Sequence, residues 1–282
     1  MTFAITGVTG FVGSFLARFL AGRGHTIVGI GRRALPEDNL LRSILETYQC
    51  IPLESSADLH SWWKIDCLIH GAYDTHPGRE EINLQGTARL AHLARENGVK
   101  QQILLSSYAA LRPASSGYAQ IKAALEQSLR SVAATVVRPG LIIGEGGLYG
   151  RMRSFILKYP ILPLLNGGAN RVPLVDITDL SLAVEYISKD IATGAFNLFM
   201  EDVPTLREVL TEIRSKCRRQ TLFVPVPTLV ALAPIALAER AGIRLSITTN
   251  NLRGLVSNDQ VAVRSDLSTF IPNPRAWRDC IH

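Results

Sequence analysis

A tyrosine and a lysine stand four positions apart in the middle of the chain, at Tyr118 and Lys122. The apolar spacing from Tyr118 to Val132 predicts a helix, and residues four apart on a helix share one face, so both side chains can reach one small volume. A free phenol has a pKa of about 10 and is a poor base at neutral pH, but a nearby ammonium stabilises the phenolate and lowers that pKa. The pair therefore predicts a general acid and base, with an exposed helix pair of no function as the alternative.

A serine hydroxyl is expected at the edge of the fold where ligands bind. Ser107 follows the apolar run Ile103-Leu104-Leu105, which predicts a buried strand, and ligands of parallel sheets bind at the carboxyl ends of the strands. A hydroxyl there can donate a hydrogen bond to a carbonyl oxygen, although a serine after a strand more often caps a turn. Ser107 is therefore a candidate hydrogen-bond donor to a substrate carbonyl oxygen, with a turn or cap residue as the alternative.

The amino-terminal stretch predicts the element that would hold a cofactor beside such a site. Phe3-Ala4-Ile5 predicts a short buried strand, and apolar residues from Val12 to Leu20 predict an amphipathic helix. The glycines between them allow a tight turn, a close backbone approach to a pyrophosphate, and close helix packing, so that the helix amino terminus faces the anion. A structural glycine turn is the alternative to a dinucleotide site. The residues predicted to bind the cofactor here are Gly7, Thr9, Gly10, Phe11, Val12 and Gly13.

Two arginines favour one of the two nicotinamide dinucleotides. The predicted second strand, Thr26 to Gly31, ends in Arg32 and Arg33. A carboxylate at this place would accept the ribose 2′-hydroxyl of NAD, whereas an arginine pairs with the 2′-phosphate of NADP. We therefore expect NADP(H) to be preferred and NAD(H) to be an option, with a solvated basic turn as the alternative.

The bulk composition narrows the class of protein. The 282 residues are 47% hydrophobic and carry a formal net charge of +6 without clustered basic runs, which favours a small phosphorylated ligand over nucleic acid. The four cysteines form no close pair, so neither a metal site nor a disulfide framework is expected. A first strand at residue 3 leaves no room for a signal peptide, and we expect a cytoplasmic protein.

An apolar run from Leu222 to Ala238 has an uncertain role. It contains Pro225, Pro227 and Pro234, and a membrane-spanning helix needs about 20 apolar residues without such interruptions. We therefore expect no membrane span. A packed lobe, a substrate wall and a subunit contact remain open for this run, and a homodimer is left open as well.

The alternation of predicted strands and helices indicates an α/β fold with a doubly wound parallel sheet. Residues 1–145 are predicted to form a dinucleotide-binding Rossmann domain to which residues 171–199 return, and residues 146–170 and 200–282 a smaller substrate-binding lobe. The predicted elements beyond the first two strands are a short helix near Leu40 to Tyr48, strand Asp66 to Ala72, helix Glu80 to Glu96, strand Thr135 to Arg138, strands Val172 to Val175 and Ala195 to Phe199, and helices Leu180 to Ile187 and Leu206 to Cys217.

These motifs together resemble the short-chain dehydrogenase/reductase family, in its extended or atypical branch that includes NAD-dependent epimerases and dehydratases. The glycine pattern of residues 6–13 resembles that branch, and Ser107, Tyr118 and Lys122 match the family's catalytic serine, tyrosine and lysine. The resemblance implies that Lys122 also binds the nicotinamide ribose. It further implies that Asn83 supports the active site and a proton-relay water, and that the cofactor is contacted by His70, Gly71, Ala72 and Pro139.

The resemblance leaves the substrate open. Only eleven positions separate Ser107 from Tyr118, fewer than in typical epimerases of the family, and no clear acidic residue matches the family's adenine contact in residues 53–58. Arg171 lies near, but one position out of register with, a basic residue that meets the substrate diphosphate in nucleotide-sugar members. Arg151 and Arg153 add positive charge, so Arg171 and Arg151 are candidate substrate-binding residues, with solvated surface arginines as the alternative.

Three functions are consistent with these features. The first is an NAD(P)-dependent oxidoreductase that transfers a hydride between nicotinamide and a carbonyl or carbinol carbon. The second is a nucleotide-sugar epimerase or 4-keto-reductase. The third is a non-catalytic NAD(P)H-binding regulatory or assembly subunit, which the intact pair Tyr118 and Lys122 argues against because a mere binder does not need a tuned phenol.

Overall fold

The computed structural model describes residues 1–36, 39–55, 62–112, 116–227 and 263–282. Seven parallel strands form the central sheet of this part of the chain. Its strands are β1 (Thr2–Thr6), β2 (Thr26–Gly31), β3 (Thr47–Cys50), β4 (Cys67–His70), β5 (Gln101–Leu105), β6 (Thr135–Pro139) and β10 (Ala195–Leu198).

Helices cover both faces of this sheet, as the doubly wound prediction requires. The helices are α1 (Phe11–Gly22), α2 (Glu80–Glu96), α3 (Gly117–Ser128), α4 (Gly147–Lys158), α5 (Ile177–Lys189), α6 (Leu206–Lys216), α7 (Leu267–Phe270) and α8 (Trp277–Cys280), with short 3₁₀ turns at Leu40–Ser43, Trp62–Lys64, Tyr108–Leu111, Leu129–Val132 and Asn166–Gly168. Helices α1 and α5 pack together, and α2 packs against α3. The predicted α/β fold is therefore confirmed.

The order of the strands creates the crevice in which such sheets bind ligands. The order across the sheet is β10-β6-β5-β4-β1-β2-β3, so the chain winds outward in opposite directions from the neighbouring strands β1 and β4. Strand β1 is almost wholly buried and β4 is buried throughout, because helices lie on both sides. In open α/β sheets, ligands bind beyond the carboxyl ends of the strands at this switch point. The ends in question are Thr6 and His70.

Two small parallel sheets lie beside the main one. Strand β7 (Leu141–Ile143) pairs with β9 (Leu174–Asp176), and β8 (Ile161–Leu165) pairs with β11 (Leu222–Val226). Of the two later strands predicted to return to the sheet, β10 does so beside β6, whereas β9 pairs with β7. The division of the chain into a Rossmann domain and a substrate lobe stays a prediction.

The predicted helix near Leu40 to Tyr48 is wrong in its second half. A single 3₁₀ turn at Leu40–Ser43 is followed by strand β3, which pairs with β2 at the edge of the sheet. The Tyr48 hydroxyl donates to the carbonyl of Arg33 at 2.5 Å, and a Cβ at Gly31 would lie under 3.0 Å from that hydroxyl. Non-local pairing with β2 therefore decides the conformation of this segment.

The apolar run is only partly described. Residues 222–226 form β11, and residues 228–238, on which most of the prediction rests, lie outside the described residues. Within the described ranges, none of the helices has the length and apolar character that crossing a membrane requires.

Candidate cofactor and proton-transfer site

The glycine turn after β1 is shaped by contacts that exclude side chains. Gly7 has a φ of +70°, which favours glycine, and a Cβ there would lie under 3.0 Å from the backbone of Ala72. A Cβ on Gly13 would lie under 3.0 Å from the carbonyl oxygen of Gly7, so α1 can approach the turn this closely only without a side chain. The predicted functions of these two glycines in the turn and in helix packing therefore match the geometry.

The amino terminus of α1 faces the turn with its backbone groups available. Gly10 is the N-cap residue, no side chain caps the helix, and its first turn contains no acidic residue. Thr9 and Gly10 are exposed, and Val12 is half-buried. The first amides of a helix attract anions, so this terminus fits a pyrophosphate.

The Phe11 ring explains the glycine-rich stretch that follows β7. A Cβ at Gly146 would lie under 3.0 Å from the Phe11 ring, and Cβ atoms at Gly144 and Gly147 would also meet that ring. The ring thus packs beneath the loop at residues 144–147. The Phe11 ring packs against this loop, so a cofactor contact by Phe11 would be made by its backbone. That contact stays a prediction.

A cleft of about 310 Å³ lies between the turn and the ends of β2 and β4. The Thr6 hydroxyl fixes its floor by accepting hydrogen bonds from the backbone of Gly71 at 3.0 Å and of Ala72 at 3.1 Å. The cleft is lined by Thr6, Gly7, Thr9, Gly10, Ile30, Gly31, Arg32, Ile51, Leu53, Glu54, Gly71, Ala72, Tyr73, Asp74, Arg79, Ile82 and Leu90. The predicted residues Gly7, Thr9, Gly10, Arg32, Gly71 and Ala72 are therefore brought together.

His70 requires a correction as a cofactor ligand. Its side chain is buried and its Nε2 lies 2.9 Å from the amide oxygen of Gln102, so it faces the core and not the cleft. Burial lowers the pKa of His70 to about 4, against the opposing hydrogen bond to Gln102, and the ring is neutral at pH 7. The next two residues carry the cleft contact of this motif.

An ion network forms one wall of the cleft, and no motif in the sequence indicates the residue at its centre, Asp74. The Asp74 carboxylate accepts from Arg32 at 2.6 Å and from Arg79 at 3.2 Å, and it also bonds His76. Burial alone would raise the pKa of Asp74, but the hydrogen bonds from His76 and the charge of Arg32 outweigh it and lower the pKa to about 2. Arg33 is exposed and is not among the residues that line the cleft.

The three residues of the predicted proton-transfer site converge at the carboxyl end of β5. The Ser107 hydroxyl acts on the Tyr118 phenol and lowers its pKa, and its oxygen accepts a hydrogen bond from the backbone amide of Ala109 at 3.2 Å. Lys122 is buried, and its ammonium donates to the carbonyl oxygen of Leu105 at 2.8 Å and lies 5.8 Å from the centre of the Tyr118 ring. The helix α3 begins at Gly117 with Ser116 as its N-cap, which points this face of the helix at the strand end.

The expected lowering of the Tyr118 pKa is not found in the protein alone. Tyr118 exposes 37% of its surface, yet desolvation of its hydroxyl raises the pKa and outweighs the hydrogen bond from Ser107 that lowers it. Burial of Lys122 likewise lowers its own pKa to about 8, and the negative charge of the nearby Glu126 opposes that shift. Burial disfavours the charged forms of both groups, so the ammonium must be supported by its surroundings.

Glu126 supplies part of that support. It lies one helical turn after Lys122 and accepts hydrogen bonds from Ser106 at 2.5 Å and from Arg138 at 2.6 Å. The carboxylate thereby ties α3 to the ends of β5 and β6. The spacing of four from Lys122 was a signal in the sequence, because a carboxylate on a buried helix face needs a partner. Pro139 ends β6 at this edge, and its contact with nicotinamide stays a prediction.

Asn83 acts on the loop after β4. Its amide oxygen accepts from the backbone amide of Asp74 at 2.7 Å, and its amide nitrogen donates to the Asp74 carbonyl at 2.8 Å. Both polar groups of this buried side chain are therefore engaged with one residue. A proton-relay water at Asn83 stays a prediction.

The arginines predicted to bind substrate do not line the cleft. Arg171 donates to the carbonyl of Val203 at 2.7 Å, next to an isolated bridge to Thr205. Arg153 donates to the carbonyl of His282 at 2.9 Å, and Arg151 is exposed on α4. Their convergence on a substrate stays a prediction.

The chain is similar to known proteins in sequence and in fold. The model of the NAD dependent epimerase/dehydratase family matches residues 3–198, which contain the glycine turn, the cleft and the proton-transfer residues. The chain belongs to this family. Among solved structures, that of MoeE5 in complex with UDP-glucuronic acid and NAD matches the epimerase/dehydratase fold with a TM-score of 0.71 and 15% identity, covering 100% of this chain and 96% of the other.

Curated relatives of this family member differ in what they do. The chain is 26% identical over 248 residues to NADH dehydrogenase [ubiquinone] 1 alpha subcomplex subunit 9, mitochondrial, of Arabidopsis thaliana, covering 82% of this chain and 62% of that protein. It is 32% identical over 195 residues to ceramide reductase of Caulobacter vibrioides, covering 62% of this chain and 57% of that protein. The chain spans about three fifths of the length of these two relatives.

Proposed function

We propose that this family member is an NADP(H)-dependent oxidoreductase that reduces a carbonyl group or oxidises the corresponding carbinol. The observation that carries the proposal is the convergence of Ser107, Tyr118 and Lys122 at a strand end beside a cleft with a glycine turn. When bound, the nicotinamide supplies or accepts the hydride. A dinucleotide fits this turn, because Gly7 and Gly13 have no room for a Cβ and no side chain caps the start of α1.

The chain's own residues supply the proton. In the reduction, Tyr118 gives its hydroxyl proton to the developing alkoxide, while Ser107 donates a hydrogen bond that orients the oxygen. The Lys122 ammonium favours the phenolate that remains and can hold a ribose hydroxyl. Since the protein alone raises the Tyr118 pKa, the positive charge of an oxidised nicotinamide would assist the reverse proton transfer.

A turnover screen of the purified protein tests this function. NADPH oxidation, followed by absorbance, is measured against long-chain ketones, small ketones and 4-keto nucleotide sugars. We expect oxidation with at least one lipophilic ketone, since the relative with 32% identity is a ceramide reductase. If the dinucleotide binds tightly and no carbonyl compound is reduced, the protein is a binding subunit, a function consistent with its similarity to the mitochondrial NADH dehydrogenase subunit.

The preference for NADP rests on the arginine wall of the cleft. Arg32 and Arg79 lie at the end of β2 and the start of α2, where an adenosine ribose would meet the sheet. Arg32→Ala is expected to weaken NADPH binding by about 10- to 100-fold and NADH binding far less, because a charge-assisted bond to a phosphate contributes about 1.5 to 3 kcal/mol. Calorimetric titration of both dinucleotides checks this.

Arg33→Ala is the matched control for that variant. Its side chain is exposed and does not line the cleft, so both affinities should stay at wild-type values. Equal affinities of the wild-type protein for NADH and NADPH would overturn the preference.

A nucleotide sugar is the second candidate substrate. The fold match to a structure that contains UDP-glucuronic acid covers the whole chain, and Arg171 stands beside the small sheet that contains β9. If a diphosphate binds there, UDP should raise the melting temperature, and Arg171→Ala should abolish the shift while Arg218→Ala retains it. Protection by long-chain ketones without protection by UDP would exclude this candidate.

A further inference from the structure

The Lys122 ammonium lies in a corner formed by two aromatic rings. Its Nζ is 4.8 Å from the centre of the Tyr73 ring, closer than the 5.8 Å to the centre of the Tyr118 ring. The two rings meet edge to face, with centres 5.3 Å apart and an interplanar angle of 83°. A cation within about 6 Å of a ring centre is attracted by the negative face of the ring.

Two clamps hold Tyr73 in this position. On its amino-terminal side, the Thr6 hydroxyl accepts from the backbone of Gly71 and Ala72. On its carboxyl-terminal side, Asn83 holds both backbone groups of Asp74. Because the two flanking stretches are tied to β1 and α2, the backbone that carries the Tyr73 ring is fixed on both sides.

We propose that Tyr73 is a positioning residue of the proton-transfer site, whose ring holds the Lys122 ammonium beside Tyr118, and that Asn83 acts on the site through Tyr73. The proposal deepens the proposed function, since it assigns to Tyr73 and Asn83 the task of keeping Lys122 charged and in place. A buried ammonium loses its hydration, and the face of a ring replaces part of it.

The groups facing Lys122 come from three elements. Tyr118 and Glu126 lie on its own helix, Tyr73 on the loop after β4, and the Leu105 carbonyl on β5. Arg138, on β6, reaches the lysine only through its ion pair with Glu126. A test of Tyr73 must therefore change the ring's attraction for a cation and leave these charges alone.

Fluorination weakens the attraction of an aromatic ring for a cation with little change in the size of the ring. Position 73 is filled in turn with Phe, 4-fluoro-Phe, 3,5-difluoro-Phe and 3,4,5-trifluoro-Phe by nonsense suppression. The pKa of Lys122 is then measured by trace acetylation over a pH series and mass spectrometry of its peptide. Each fluorine weakens the ring's negative face, so we expect the Lys122 pKa to fall stepwise, by about half a unit over the series.

Matched controls separate this effect from packing. The same series at Phe196, whose ring packs edge to face on Phe270, should leave the Lys122 pKa unchanged. In an Asn83→Ala background the trend at position 73 should disappear, whereas Asn97→Ala, at the other end of α2, should retain it. A flat series at position 73 in the folded wild-type background would overturn the proposal. The readout is a pKa and not a turnover rate, so failure of the proposed function would leave this result interpretable.

Discussion

Tyr118→Phe should lower turnover by at least about 100-fold while the dissociation constant for NADPH changes by no more than a few-fold. The substitution removes the phenol hydroxyl, which is the proton donor of this residue. It keeps the ring, whose centre lies 5.3 Å from the centre of the Tyr73 ring. It touches neither the glycine turn nor the arginine wall. Steady-state rates with the substrate found in the screen, together with calorimetric titration of NADPH, check both halves of the prediction.

Tyr186→Phe is the control for this variant. Tyr186 lies on α5 with 43% of its surface exposed, so loss of its hydroxyl should change neither turnover nor affinity. Unchanged turnover in Tyr118→Phe would exclude the proton-transfer assignment. A parallel loss of affinity would show that the variant had disturbed the cleft as well.

The parts of the fold that the sequence predicts best are set by local patterns. The helix predicted from Glu80 to Glu96 and the strand from Thr26 to Gly31 have those bounds in the structure. In the helix, apolar residues recur at helical spacing over several turns, and Asn97-Gly98 ends it. The strand is preceded by a glycine turn and followed by two arginines. Signals of this kind need no knowledge of the distant chain.

Elements that depend on distant partners were harder to predict. Strand β3 pairs with the edge of β2, and β9 pairs with β7 across a connection of thirty residues. His70 illustrates the same limit for the site, because the side chain at the end of β4 turns to Gln102 on the neighbouring strand. Propensity and period do not specify which face of the sheet a single side chain will use.

The missed residues of the site share this non-local origin. Tyr73, Asp74 and Glu126 acquire their functions from contacts with Lys122, Arg32 and Arg138. Each contact joins side chains from two different elements of the fold. The motif residues identify the chemistry, and their neighbours in space adjust the charges on which that chemistry depends.

Gly13→Ala is expected to have the largest effect on cofactor binding. A Cβ at this position would lie under 3.0 Å from the Gly7 carbonyl, and the obstacle is backbone that cannot rotate away. Helix α1 must therefore move off the turn, which displaces the amides that would face the pyrophosphate. We expect NADPH affinity to fall by at least about 100-fold and the free energy of unfolding by about 1–3 kcal/mol, as for other overpacked sites. Calorimetric titration and denaturant unfolding measure the two losses.

Gly22→Ala, at the end of the same helix, provides the matched comparison. Apart from its chain neighbours and the backbone of its own helix, no atom of the described residues lies within 4 Å of the Cβ it would add, so the substitution should leave affinity unchanged. It should raise stability by at most about 1 kcal/mol, because alanine restricts the unfolded chain more than glycine does. Wild-type NADPH affinity in Gly13→Ala would show that the turn does not hold the dinucleotide. A loss of affinity in both variants would place the cause in the stability of α1, since a Cβ at Gly22 would not meet the glycine turn.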